Sequence, residues 1–121
     1  MNFQLNGYFF KNEKNAFEDV RKVFLKKFAI SENFLLHIHS VSNHYSQELN
    51  KHYFQKDYPS DVLTIPLYKD LASIKKLNKK NNEIIGDLFL NRKLIKKHSK
   101  KYKKTLIEEY QLVLVHGLLH L

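Results

Sequence analysis

Two histidines stand near the end of the sequence, in VLVHGLLHL (113–121), four residues apart in an otherwise apolar run. On an α-helix, residues four apart share a face, one turn from each other. His116 and His120 can therefore chelate one cation, by the geometric logic of the H-E-x-x-H pattern. Gly117 stands where that pattern carries its glutamate general base, so peptide hydrolysis by that route is disfavoured. The pair is equally a type of residue found half-buried in cores. The apolar surroundings favour metal, because an imidazole buried without a hydrogen-bond partner costs about 1–3 kcal/mol, which a ligated ion would offset. Glycine in mid-helix costs roughly 1 kcal/mol relative to alanine, so Gly117 implies that something approaches the backbone closely. A catalytic zinc takes three protein ligands and keeps an open position, and this helix supplies only two. His37, His39, His44 and His52 lie elsewhere, at spacings that commit none of them to the same ion.

Composition narrows the chemistry. The 121 residues contain no cysteine, so disulfides and thiolate ligands are excluded and any metal must use histidine and carboxylate. The start, MNFQLNGYFFKNEKN, has neither the basic segment nor the apolar run of a signal peptide. No apolar run approaches the roughly 20 residues that a membrane span requires. These features predict a cytoplasmic protein with no membrane partner. The net charge is +9, and residues 69–104 hold 13 basic residues against three acidic ones. A near-neutral body thus carries one positive stretch, which suits a polyanion through counterion release. The same lysines are also what a solvated surface looks like.

The elements that must position these residues follow from periodicity and caps. FQLNGYFF (3–10) and NFLLHIHSV (33–41) read as strands; in the second, Leu36, Ile38 and Ser40 face one way and Leu35, His37 and His39 the other. Asn15 with Glu18 forms a capping-box signature for a helix carrying Phe17, Val20, Phe24, Leu25 and Phe28 inward. Ser42 caps a second helix, with Tyr45, Leu49 and Tyr53 predicted inward. DVLTIPL (61–67) and EIIGDLFLN (83–91) are strands, separated by a surface excursion over 68–82 with a weak helical turn. Asn91 caps a helix to about Lys101, and Thr105 opens a last one whose apolar character on all sides predicts a central, buried helix. The order β-α-β-α-β-β-α-α describes a single α/β (α+β) domain over 1–121, with a mixed four-stranded sheet packed against helices.

Three segments in order carry a resemblance to a known family. LNKHYFQKDYPSDVLTIPL (49–67), IIGDLFL (84–90) and VHGLLHL (115–121) resemble, respectively, the loop and strand, the G-D strand, and the start of the histidine motif of the YbeY endoribonucleases, or ribosomal RNA maturation factors. The resemblance implies a metal-dependent enzyme that cuts single-stranded RNA, acting in ribosomal RNA maturation and ribosome quality control. It implies one zinc ion, with His116 and His120 as the first two ligands. The family's third histidine, its G-Y-D-H segment and its last helix fall beyond Leu121, so a C-terminally shortened, impaired version of the domain is expected. The family arginine that acts on the RNA phosphate corresponds to Phe54, with Lys56 nearby as a substitute point charge. Asp61 matches a family aspartate that could orient a water or ligand, and with Ser60 is equally a turn former.

The sequence therefore predicts an endoribonuclease scaffold whose partner is ribosomal RNA or the ribosome. Lys56, Lys93, Lys96, Lys97, Lys100 and Lys101 are the candidate RNA contacts. The alternative is a non-catalytic, basic RNA- or ribosome-binding module, which needs only the lysines and a stable fold.

Overall fold

A computed structural model describes residues 1–76 and 83–121, apart from the side chains of Leu71 and Lys75. Four strands form one mixed sheet, β1 (Asn2–Asn6), β2 (Leu35–Val41), β3 (Val62–Pro66) and β4 (Ile84–Asn91), in the spatial order β1-β2-β4-β3. β1 and β4 run parallel to β2, while β3 runs antiparallel to β4. The helices are α1 (Lys11–Phe28), α2 (Asn43–Phe54), the short α3 (Leu71–Lys75), α4 (Arg92–Lys101) and α5 (Leu106–Leu118). The predicted architecture holds, with α3 as the helical turn inside the 68–82 excursion. Residues 77–82 of that excursion lie outside the described residues. Among the described residues no helix is long and apolar enough to cross a membrane.

One face of the sheet is the core. Leu36 and Ile38 of β2 and Leu88 and Leu90 of β4 are fully buried, and they join Phe17 of α1, Ile95 of α4 and Tyr110 and Leu114 of α5 in one cluster. Alternation along β2 sends His37 and His39 to the opposite face, as the pattern predicts.

Three caps follow local sequence. The Ser42 hydroxyl accepts from the Tyr45 N–H (3.0 Å) and the Asn91 side chain accepts from Leu94 (3.4 Å). Thr105 and Glu108 form a reciprocal capping box at 3.1 and 3.0 Å.

Several expectations change. β1 stops at Asn6, because Gly7 takes φ +94° and sits against the Ser40 backbone, where a Cβ would meet the carbonyl oxygen at 3.1 Å. α1 starts at Lys11 rather than after Asn15. Glu13 accepts the Phe10 N–H (3.0 Å), so the helix is capped at Phe10, ahead of Asn15, while Glu18 pairs with Arg21 at 2.9 Å instead of capping. In α2 the inward side is Ser46, Leu49 and Asn50, and Tyr45 and Tyr53 are exposed. Ser46 and Asn50 point inward because they hold the following loop. The Ser46 hydroxyl donates to the Ser60 carbonyl (2.8 Å) and accepts its N–H (3.0 Å), and Asn50 donates to the Tyr58 carbonyl (2.8 Å). α5 is buried along one side only. Leu112, Val115 and Leu119 are exposed and, with Val20, Val23 and Phe24 of α1, line an apolar groove of about 700 Å³.

Glu13 is 1% exposed and makes a bidentate pair with Arg92, at 2.5 and 2.6 Å. The Glu13 hydrogen bonds raise the Arg92 pKa, keeping the guanidinium charged. That guanidinium also lies over the rings of Phe10 (5.0 Å) and Tyr110 (5.3 Å), so one side chain ties α1, α4 and α5. Arg92→Ala leaves a buried carboxylate without its cation, and the expected loss is about 3 kcal/mol in urea unfolding. The double change Glu13→Gln, Arg92→Ala is expected to lose less than Arg92→Ala alone.

Candidate metal centre

The histidine pair is positioned by a close approach of α5 to the sheet at Gly117. A Cβ at Gly117 would lie 2.6 Å from Leu88 Cδ1 and 2.9 Å from Val62 Cγ2, so α5 rests on β3 and β4 where only glycine fits. The predicted close approach to the Gly117 backbone is thus made by the sheet. The Thr64 hydroxyl on β3 donates to the Gly117 carbonyl at 2.8 Å, and the His120 N–H donates to the same carbonyl at 3.2 Å. Leu119 and Leu121 close the turn with N–H bonds to Val115 (3.0 Å) and Leu118 (3.2 Å). His120 therefore sits one residue beyond the α5 cap, on backbone that is still hydrogen-bonded.

The two imidazole rings lie 4.9 Å apart between centroids, tilted by 55°. Both are exposed. The burial cost that the sequence assigned to them is absent, since water reaches both rings, and their proximity alone argues for a shared ligand. They stand on the rim of a cavity of about 400 Å³, with Phe54, Lys56, Tyr58 and Thr64 also on its wall. Two imidazoles one turn apart fit two positions of a zinc coordination shell. Among the described residues no third histidine, aspartate or glutamate side chain converges on them, so these side chains supply part of a metal site.

The remaining candidates separate. Lys56 is exposed on the cavity wall beside the exposed Phe54 ring. Lys93, Lys96, Lys97, Lys100 and Lys101 are exposed on α4 and do not line the cavity. Asp61 faces α4 and α5 instead: its carboxylate lies 3.3 Å from His98 Nδ1 and close to Glu109, and its carbonyl accepts the Asn91 N–H (2.9 Å). Ser60 lines the cavity, but its hydroxyl is used on the Val62 carbonyl (2.8 Å), a turn-forming role. His44 and His52 are exposed on α2. His37 and His39 meet Asp87 across the β2–β4 pair. Sequence reasoning missed Thr64 and Asn50, whose buried polar side chains line the cavity and tie it to the Gly117 and Tyr58 carbonyls.

A model of the family described as "Endoribonuclease YbeY" matches residues 5–121. Over 81 residues the chain is 37% identical to an endoribonuclease YbeY of Carboxydothermus hydrogenoformans, covering 67% of this chain and 50% of that one. Over 92 residues it is 36% identical to the endoribonuclease YbeY of Aster yellows witches'-broom phytoplasma, covering 76% and 60%. The chain thus spans between 50% and 60% of the length of these two curated relatives. The solution structure of a Thermotoga maritima protein superposes with a TM-score of 0.59 at 19% identity, covering 98% of this chain and 71% of that one, which supports the fold.

Gly117→Ala sets two effects against each other. Helix propensity favours alanine by about 1 kcal/mol. Overpacking against the stiff Val62 and the fully buried Leu88 costs roughly 1–3 kcal/mol. The expected outcome is a net loss of stability in thermal unfolding, the reverse of what an isolated helix would show.

Proposed function

The chain belongs to the YbeY endoribonuclease family, and on that premise we propose that it is a metal-dependent endoribonuclease domain over 1–121 acting on single-stranded RNA. The observation that carries this reading is the convergence of His116 and His120 on the rim of a cavity walled by Lys56 and Phe54. In this reading ribosomal RNA or the ribosome is the partner, the task is ribosomal RNA maturation and ribosome quality control, and the compartment is the cytoplasm.

His116 and His120 would hold one zinc ion as two of its protein ligands. A bound zinc supplies a Lewis acid that polarises a phosphoryl oxygen and makes water more acidic. The chain's own residues do the rest. Lys56 offers a point charge to a backbone phosphate, without the fork geometry of an arginine. The Phe54 ring, 41% exposed, gives an unpaired base a face to stack on. The basic surface of α4 adds a positive field that raises the encounter rate with RNA. Phe54 at the arginine position, and the two-ligand set, favour one second reading: a non-catalytic RNA- or ribosome-binding module.

One experiment separates them. The chain is incubated with zinc and single-stranded RNA, with and without His116→Ala. The enzyme reading expects cleavage that falls by about 100-fold or more in the variant, on the scale of losing one electrostatic stabiliser of a reaction, with RNA affinity nearly unchanged. Undiminished cleavage by the variant would sink it. No cleavage by either protein, with salt-sensitive RNA binding retained by both, leaves the binding module. Lys56→Ala is expected to weaken RNA binding uniformly across sequences and to reduce the salt slope by about one.

A further inference from the structure

We propose that His37, His39 and Asp87 form a binding site for one divalent transition-metal ion of the zinc type, on the sheet face opposite the core. This does not rest on the endoribonuclease reading and concerns residues apart from the His116–His120 cavity.

The case begins with register. His37 and His39 alternate with the buried Leu36 and Ile38, so both imidazoles leave β2 on the face opposite those two core residues. On β4 the pairing shifts between Leu35 and Leu36: Leu35 lies opposite Ile84, but Leu36 lies opposite Gly86. Ile85 and Gly86 therefore share one partner, the arrangement of a β-bulge. Beyond the bulge Asp87 lies directly opposite His37, and Phe89 opposite His39. Strict alternation from the buried Ile85 would have sent Asp87 into the core. The bulge places it beside the two histidines instead.

The three side chains then converge. Asp87 Oδ1 lies 2.8 Å from His39 Nε2 and 3.6 Å from His37 Nδ1, and the ligand atoms of all three residues lie within 4.8 Å of one another. Ligands about 2.05 Å from a tetrahedral zinc stand roughly 3.3 Å apart, so the two measured separations bracket that value. A hydrogen bond explains the position of His39 alone. His37 Nδ1 is too far from Asp87 for one, yet it turns toward the same oxygen. Two imidazole nitrogens and one carboxylate oxygen make a donor set suited to zinc-type ions and poorly suited to calcium or magnesium.

The surroundings are those of a supported and reachable site. The side chains of His37, His39 and Asp87 are 22%, 24% and 31% exposed, so an ion can enter and keep water in its remaining positions. The His39 ring stacks on Phe89 (4.6 Å, 14°), which fixes its plane. Its other nitrogen, Nδ1, lies 3.4 Å from the Asn6 amide, an outer partner of the kind that orients a ligating imidazole. All three donors stand on paired strands, which hold geometry better than loops.

Zinc alone is the probe. The full chain carrying His116→Ala and His120→Ala removes the cavity pair, and metal per chain is measured after equilibrium dialysis. The expected result is close to one zinc per chain, with a zinc-dependent rise in melting temperature. Adding Asp87→Asn or His39→Ala should weaken binding by more than the roughly 10–100-fold that loss of an outer partner costs, and abolish the melting shift. Circular dichroism checks that each variant is folded. Should His39→Ala unfold, His37→Ala gives the same test, since it removes a ligand that makes no hydrogen bond to Asp87. No zinc on the double variant, or zinc unchanged by folded His37→Ala and Asp87→Asn proteins, would overturn the proposal.

Discussion

At Gly117 the α5 backbone comes so near the sheet that no Cβ fits between it and Leu88 or Val62, and most of the candidate metal centre follows from that constraint. The carbonyls of a helix's last turn lack partners within the helix. Here the Gly117 carbonyl is held by the Thr64 hydroxyl from β3 and by the His120 N–H from the following turn. One oxygen thus fastens the helix end to the sheet and sets the backbone that carries His120. Pressing Tyr110, Val113, Leu114, Gly117 and Leu118 onto the core leaves the other side of the helix to solvent. His116 and His120 fall on that other side, at the rim of the cavity rather than beneath it. The same rotation exposes Leu112, Val115 and Leu119.

The opposite ends of the helices are fixed by electrostatics. The Glu13 carboxylate is buried, and Arg92 pairs with it across 79 residues of sequence, offsetting the cost of burying a charge. Because Arg92 also lies over the Tyr110 ring, the pair registers the start of α1 and the first turn of α4 against α5. Burial pushes the Tyr110 phenol well above its ordinary pKa, so that group stays neutral beneath the guanidinium. The sliding freedom of α5 is therefore limited at two points along its length, by Tyr110 near one end and Gly117 near the other.

What could be read from the sequence was what local chemistry decides. Ser42, Asn91 and Thr105 cap the helices they were expected to cap, since each bond closes within three residues. The pairing of His116 with His120 is legible because four residues make one turn. The start of α1 was not, because the Asn15–Glu18 signature is outweighed by a Glu13 cap anchored on a distant arginine. The inward face of α2 was misread for a related reason. Ser46 and Asn50 are buried for their bonds to the 58–60 loop, and no hydropathy pattern predicts that two tyrosines yield to them. The burial of α5 was overestimated because an all-apolar helix does not say which of its sides has a partner. Asp87 was invisible as a neighbour of His37 and His39, because a bulge at Ile85 and Gly86 changes the parity of β4.

Charge shows the same division between sequence and space. The lysine-rich stretch is continuous in sequence, yet the exposed lysines of α4 do not line the cavity, and Lys56, from outside that stretch, does. The two groups act over different ranges. Exposed charges are felt over a screening length of roughly 8–10 Å at ordinary salt, which is enough to bias the approach of a polyanion but not to orient it. Orientation needs contact, and on the proposed function contact at the cavity would be made by the Lys56 ammonium next to the exposed Phe54 ring. A flexible ammonium neutralises a phosphate without fixing its plane, whereas an arginine fork fixes both. On the proposed function, Phe54 therefore transfers part of substrate positioning from phosphate geometry to base stacking. Stacking tolerates any base. RNA held this way would be drawn in by α4, seated by Phe54 and Lys56, and aligned with the histidine pair chiefly by the rigidity with which Gly117 and Thr64 hold that end of α5 to the sheet.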